Sequence, residues 1–488
     1  MKEEEMTTRR EFLKTAAAGG AGLWLKGTGW PRSTQAAIPA KKRYAIVGTG
    51  GRHAMYREAI LGRYASTSEL VGLCDTNIGR ARLAQAKAAQ AWAGKLIPIF
   101  EAKDFDRMIA ETKPEAIIVT TVDSFHDQYI VRAMELGCDA VTEKPMTTDE
   151  DKCRRILDAI RKTGRKLRVT FNYRYSPPRT QVKDLLMSGV IGEVLSVDFH
   201  WMLNTRHGAD YFRRWHSEKR SSGGLQIHKA THHFDLVNWW LSAVPVTVQA
   251  TGKREFYTPG MARRFGLERH HERCLTCPEK AECGFELDLA ANTGLKELYL
   301  DNEGHDGYFR DRCVFRPDID IEDTLNVLVD YDNKTTLCYS VNAFNSWEGY
   351  LICFNGTKGR IEHKAEEAIY LTADGSVPGA LKAEGTYIRI YPLREPGYAG
   401  DVWKGEGGHG GGDSLMLDDI FGAERKPDKY LRNADHRSGT YGCLVGAAIN
   451  RCLEAGRPVK IADLVPGIDY PDYPPMPSRT GPLPMPKK

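Results

Sequence analysis

Beyond its first forty residues the chain has no run of about eighteen apolar residues, the length a membrane-crossing helix requires. It also lacks a long basic stripe, which removes nucleic acid from the expected partners. Net charge is small at +4, and residues 1–36 hold six Lys/Arg against four Asp/Glu, leaving about +2 for the rest. The eleven cysteines are odd in number, so complete internal pairing is excluded. What remains, 41% hydrophobic and 27% charged residues over 488 positions, has the composition of a soluble globular protein. That length suffices for two or three domains with sizeable cores.

The N-terminus has the parts of a targeting segment: Arg9-Arg10, a short apolar run from Phe12 to Leu25, and the small residues of STQAA. Thr8 to Lys14, TRREFLK, resembles a twin-arginine signal. That resemblance implies the twin-arginine machinery as a partner and export in folded form to a periplasmic or other extracytoplasmic space. Residues 1–37 are read as signal and linker; cleavage near Ala36 or Ala37 and retention as an anchor both stay open.

Arg43 to Val47 is a β-forming apolar run that leads directly into Gly48-Thr49-Gly50-Gly51-Arg52-His53. A helical stretch, Ala54 to Tyr64, and a second strand, Glu69 to Cys74, follow, and the strand ends in Asp75. This order is that of a dinucleotide-binding β-α-β unit. Gly48 serves the tight turn and Gly50 the approach of a pyrophosphate. Gly51, Arg52 and His53 complete the turn at the helix N-terminus, with His53 where a third glycine is usual. Asp75 would accept the ribose hydroxyls and repel a 2′-phosphate, favouring NAD over NADP; the nearby Arg80 blurs that preference. Strand and helix keep alternating through EAIIVTT (115–121), the helix Gln128 to Leu136 and the strand Asp139 to Thr142, which delivers Glu143-Lys144-Pro145. The pattern predicts an α/β fold with a doubly wound parallel sheet over residues 42–166.

The series GTGG, CD, TTVDSFH, EKP, FNYRYSP and IGEV resembles the Gfo/Idh/MocA family of oxidoreductases, closely over residues 42–255 and loosely beyond. The resemblance implies an N-terminal Rossmann domain followed, over 167–465, by an α+β substrate and oligomerisation domain with an open, largely antiparallel sheet. It also implies a tightly held nicotinamide, a carbohydrate substrate and a dimer or tetramer. By position, Lys144 would lie at the nicotinamide and the substrate oxygen. Glu143 and Pro145 would fix its loop, with a cis bond before the proline. Thr121 and His126 would belong to the cofactor loop, where Asp123 replaces the Asn often found in the motif. Asn172, Arg174 and Tyr175 would line the cleft, the last two either meeting the sugar or merely packing.

In SGGLQIHKATHHFDLVNWWL (222–241) apolar residues recur at helical spacing, and His228 and His232 stand four apart, on one face of a continuous helix. His232 matches the family's acid–base histidine; His228 occupies the place of an Asp. A histidine in place of a carboxylate lowers rather than raises the pKa of its neighbour, so His232 is expected to be neutral and basic. A divalent metal gripped by the pair, and a purely structural pair, are the other readings. Upstream, Arg206, His207, Tyr211, Arg214 and Trp215 are candidate sugar contacts, or parts of a solvated charged loop.

An insertion at about 257–318 holds Cys274, Cys277, Cys283 and Cys313. A tetrahedral zinc, an iron–sulfur cluster and two disulfides all fit this spacing. The final segment, 466–488, is proline-rich and suited to wrapping over a surface. Together the motifs point to an exported NAD-dependent oxidoreductase of a sugar or sugar derivative. An NAD-dependent glycosidase working by transient oxidation, and a sugar binder whose chemistry has lapsed, are the alternatives.

Overall fold

The computed structural model describes residues 40–92, 94–369, 385–423, 427–483 and 485–486; the twin-arginine segment lies outside them. The chain from Lys41 onward forms one compact unit. No helix among the described residues is long and apolar enough to cross a membrane.

The first sheet contains β1 (Lys42–Val47), β2 (Ser68–Asp75), β3 (Ile99–Glu101), β4 (Ala116–Val119), β5 (Asp139–Thr142) and β6 (Leu167–Val169). Those six pair in parallel in the order β6-β5-β4-β1-β2-β3. Tyr44, Ala45, Ile46 and Val47 are buried, as are all four residues of β4, so the central strands read as unbroken apolar runs covered on both faces. The order reverses beside β1 and β4, and the ends of these strands open into a ligand crevice. The sheet continues past residue 166 through β6, and β15 (Ala434–Asp435) adds an antiparallel edge.

Among the described residues the second sheet has nine strands: β7 (Val194–Asn204), β8 (Pro245–Lys253), β9 (Thr324–Tyr331), β10 (Thr336–Asn345), β11 (Trp347–Gly356), β12 (Gly359–Ile369), β13 (Tyr387–Pro392), β14 (Tyr398–Gly400) and β16 (Val459–Lys460). Only β7 and β10 pair in parallel; the other neighbours are antiparallel, as expected. β9 alternates buried and outward positions, the pattern of a sheet covered on one face. From its inner face Tyr331 donates to Asn238 at 3.0 Å on the helix Thr231–Leu241, every residue of which is buried.

A later helix, Gly412–Phe421, returns to the first domain. Its Leu417 and Phe421 join a buried cluster with Tyr44, Tyr56 and Ile60, and the Phe421 ring meets Tyr44 edge-on at 5.0 Å. The proline-rich tail has no regular structure over its described part and lies on the protein's own surface, where Tyr470 donates to the carbonyl of Ser242 at 3.1 Å.

Candidate active site

The turn after β1 leads into the helix His53–Leu61. Gly48 has φ +90°, and a Cβ there would stand 2.6 Å from the carbonyl of Thr120, so only glycine fits. A Cβ on Gly50 would instead project into a cleft with no protein atom within 4 Å. This cleft encloses about 540 Å³ and lies beyond the ends of β1, β2, β4 and β5. Gly48, Gly50, Gly51, Asp75 and Thr121 line it around the glycine turn, and Arg52, Lys144, Asn172, His228 and His232 line it as well. Free backbone N–H groups at a helix start, an open glycine and an acid at the end of β2 fit a dinucleotide.

Each cleft residue is held from behind. Asp75 accepts Thr49 Oγ1 at 2.8 Å, the amide of Thr49 and the amide of Asn77 at 2.7 Å. Glu143 accepts Arg52 Nε and Tyr56 OH, both at 2.6 Å. Burial works against its charge, but Arg52, Tyr56 and Lys144 outweigh it and hold its carboxyl below the ordinary value. Asp413, on the returning helix, accepts Asn172 Nδ2 at 2.6 Å and Arg52 Nη2 at 3.3 Å and pairs with His409 Nδ1 at 2.8 Å.

At the reacting end the Lys144–Pro145 bond is cis. Lys144 Nζ donates to the carbonyl of His228 at 2.9 Å and stands 3.4 Å from His228 Nε2. His228 Nδ1 meets Asp123 Oδ2 at 2.5 Å. An ammonium facing Nε2 favours the tautomer with the proton on Nδ1, so a line Asp123–His228–Lys144 runs into the cleft. Burial depresses Lys144 to about 8, with Asp123 opposing. Burial also lowers His228 and His232 well below ordinary imidazole values, and the charge of Lys144 adds to this; both are neutral at pH 7. The His232 ring stacks on Tyr173, centroids 4.1 Å apart, and its Nδ1 is buried without a partner.

Two family profiles match the chain. One, an oxidoreductase-family NAD-binding Rossmann fold, spans residues 42–171; the other, an oxidoreductase-family C-terminal alpha/beta domain, spans 183–461. YteT of Bacillus subtilis, assigned to the oxidoreductases, is 35% identical over 417 residues, 84% of this chain and 95% of YteT. The chain belongs to the Gfo/Idh/MocA oxidoreductase family. An inositol 2-dehydrogenase of Gluconacetobacter diazotrophicus is 32% identical over 42% of this chain and 56% of its own length. The fold is shared with the WlbA dehydrogenase of Bordetella pertussis, solved with NADH and UDP-GlcNAcA (TM-score 0.56, 18% identity, 86% of this chain and 99% of that one).

Several expectations read from the sequence are corrected or decided by the structure. His53 does not line the cleft: its Nδ1 meets the carbonyl of Gly50 at 2.5 Å and buttresses the turn from within. Arg174 is fully buried in an ion pair with Asp235, with Nε to Oδ2 at 2.8 Å. Tyr175 is buried too and donates to Asp419 at 2.6 Å, so both pack rather than meet a sugar. Arg206 is exposed and outside the cleft. His228 and His232 do not share one helix: Leu225–His228 ends at a turn and the chain re-enters helix at Thr231, yet both rings face the cleft. Trp215 and Arg214 line the cleft, and Pro145 accepts His126 Nδ1 at 2.8 Å through its carbonyl.

His207 lines a neighbouring cavity of about 400 Å³ with Lys229 and Glu348. Its Nδ1 pairs with Glu348 at 2.7 Å, and its Nε2 with the buried Tyr211 hydroxyl at 2.9 Å. His409 borders both cavities. Lys229, absent from the sequence candidates, donates to Tyr173 OH at 3.2 Å and lies 4.8 Å above the Trp201 ring. The contacts of Asp123 with His228 and of Tyr173 with His232 and Lys229 are not legible in the sequence either, because nothing local links these residues to their partners.

Cys274, Cys277, Cys283 and Cys313 line one small pocket in the insertion. All eleven thiols are free, and among the described residues no group of three or more His, Cys, Asp or Glu converges as a metal site requires. The zinc, cluster and disulfide readings therefore gain no support, and neither does a metal held by the histidine pair.

Proposed function

We propose that the chain is an NAD-dependent oxidoreductase acting on a CH–OH group of a sugar or cyclitol. A single observation carries the reading: the glycine turn, Lys144 and His232 line one continuous cleft. Bound there, the nicotinamide supplies reversible hydride exchange with the carbon that bears the hydroxyl. His232, neutral and facing the cleft, takes the hydroxyl proton. Lys144 gives N–H groups to the carbonyl and to Nε2 of His228 and keeps the third for the substrate oxygen, steadying negative charge as it develops. Asp123 and His228 position Lys144, and Asn172 and Trp215 frame the substrate space.

The twin-arginine resemblance supports export with the dinucleotide already seated. A second substrate, reduced in the same cleft, would then restore the cofactor without exchange. Self-association over the outer face of the second sheet, where Leu195 and Leu328 are exposed, belongs to the same proposal and is read as mass in solution.

The test is to mix the purified full-length protein with a panel of sugars and cyclitols and follow the near-ultraviolet band of reduced nicotinamide. A substrate-dependent rise supports the reading. Release of phenol from aryl glycosides with no net rise identifies a glycosidase instead, and tight sugar binding with neither signal a lapsed binder.

A further inference from the structure

The insertion between β8 and β9 takes no part in the proton chemistry, yet it reaches the nucleotide end of the cleft. Its neck is closed by backbone bonds from Cys274 N to Asp311 O at 2.8 Å and from Cys313 N to Glu272 O at 2.7 Å. Arg273 spans the loop, with Nε to Asp311 and Nη2 to Glu303, both at 3.0 Å. Beyond that neck, the short helix Thr293–Leu298 and the turn Leu300–His305 lie against the first domain.

Three ties join them. Lys87 pairs with Glu297 at 3.0 Å, Asn77 Nδ2 donates to the carbonyl of Asn302 at 2.9 Å, and Arg80 pairs with Asp306 at 2.9 Å. Gly79 makes the approach feasible, since a Cβ there would overlap the Asn302 side chain and stand 2.6 Å from the His305 ring. Arg80 also sits 5.5 Å from both the Tyr299 and Tyr308 rings.

Tyr299, Asp306 and Tyr308 line the cleft together with Asp75 and Thr76. The Tyr299 hydroxyl is 3.7 Å from where a Cβ on Gly51 would stand, which places it over the glycine turn. Flat phenol faces and a hydroxyl above a phosphate-binding turn suit the adenosine and pyrophosphate half of a dinucleotide. Arg80, the cation nearest Asp75 in sequence, has its charge matched by Asp306 and so is not presented to a 2′-phosphate.

We propose that the insertion is a cofactor clasp, closing over the adenosine half of the dinucleotide, with the Arg80–Asp306 pair as its latch and as a selector against a 2′-phosphate. The proposal rests on the dinucleotide reading above. Leaving the cleft would require the clasp to open, so its effect falls on release more than on capture.

The experiment loads full-length protein with NADH, chases with excess NAD and reads release by nicotinamide fluorescence, alongside NADH and NADPH affinities. Asp306→Asn is expected to release NADH about tenfold faster or more and to narrow the preference for NADH over NADPH by a similar factor. Tyr299→Phe, which removes only a hydroxyl, is expected to speed release several-fold and leave that preference unchanged; it decides alone if the Asp306 variant does not fold. Wild-type protein that holds NADH, with both variants releasing it at the wild-type rate, overturns the clasp. Wild-type protein that binds neither dinucleotide overturns the underlying reading, and the clasp with it.

Discussion

Asp123 of the cofactor loop and His228 of the histidine segment touch each other at 2.5 Å. Through that imidazole the Asp123 carboxyl group is linked to Lys144, whose Nζ stands 3.4 Å from His228 Nε2. Asp123→Asn and His228→Asp are each expected to lower kcat/KM by roughly tenfold or more. The double variant should be less impaired than the sum, with a coupling of about 1–2 kcal/mol in a kinetic cycle. Dinucleotide affinity should hardly change, which separates positioning from loss of the site. The pH profile follows from the same trio. The Lys144 ammonium is lost as pH rises through about 8, so kcat/KM for oxidation should fall on the alkaline side near that value. In Lys144→Arg that limb should move out of the measurable range.

At the scale of the element, the returning helix Gly412–Phe421 links packing to chemistry. Phe421 anchors it against Tyr44 and Tyr64, while Asp413, two turns earlier, braces Asn172 and Arg52. Phe421→Ala should cost about 3–5 kcal/mol by leaving a cavity, and should also weaken dinucleotide binding as Asp413 loosens. Denaturant unfolding and NADH titration check the two halves. The strand–turn–helix at Gly48 and the acid that ends β2 at Asp75 were legible in the local pattern of the sequence, and the Glu143–Pro145 loop through the family resemblance. The break between the two histidines was not: apolar spacing continues across Lys229 and Ala230 although the backbone turns there. Whether Arg174 and Tyr175 meet a sugar or pack stayed open in the sequence because their carboxylates lie 61 and 244 residues away. Arg80 and Asp306 are 226 residues apart, a pairing that composition and periodicity do not encode.

Across the whole molecule, buried histidines set the response to acid. His53 in the first domain and His363 in the second are both lowered from 6.5 to about 4, burial being the main cause in each. The unfolded chain takes up these protons below 6.5 and the folded one only near 4. Stability is therefore full above pH 6.5 and falls as pH drops through the window to 4, by about 3 kcal/mol for each histidine. Thermal melting between neutral pH and pH 4 should show this loss, and a His363→Gln variant should show a shallower one. The same two-domain body brings Lys144 and His232 to one cleft from sequence positions far apart, and that cleft is where the proposed function is most exposed. The decisive measurement follows the near-ultraviolet nicotinamide band of protein purified and used with no added cofactor, given a sugar or cyclitol and then a second, oxidised one. A rise with the first and a return with the second, both abolished in His232→Ala, is the expected result. A protein that shows no such band, and none after incubation with NAD and substrate, would contradict a seated dinucleotide doing reversible redox work.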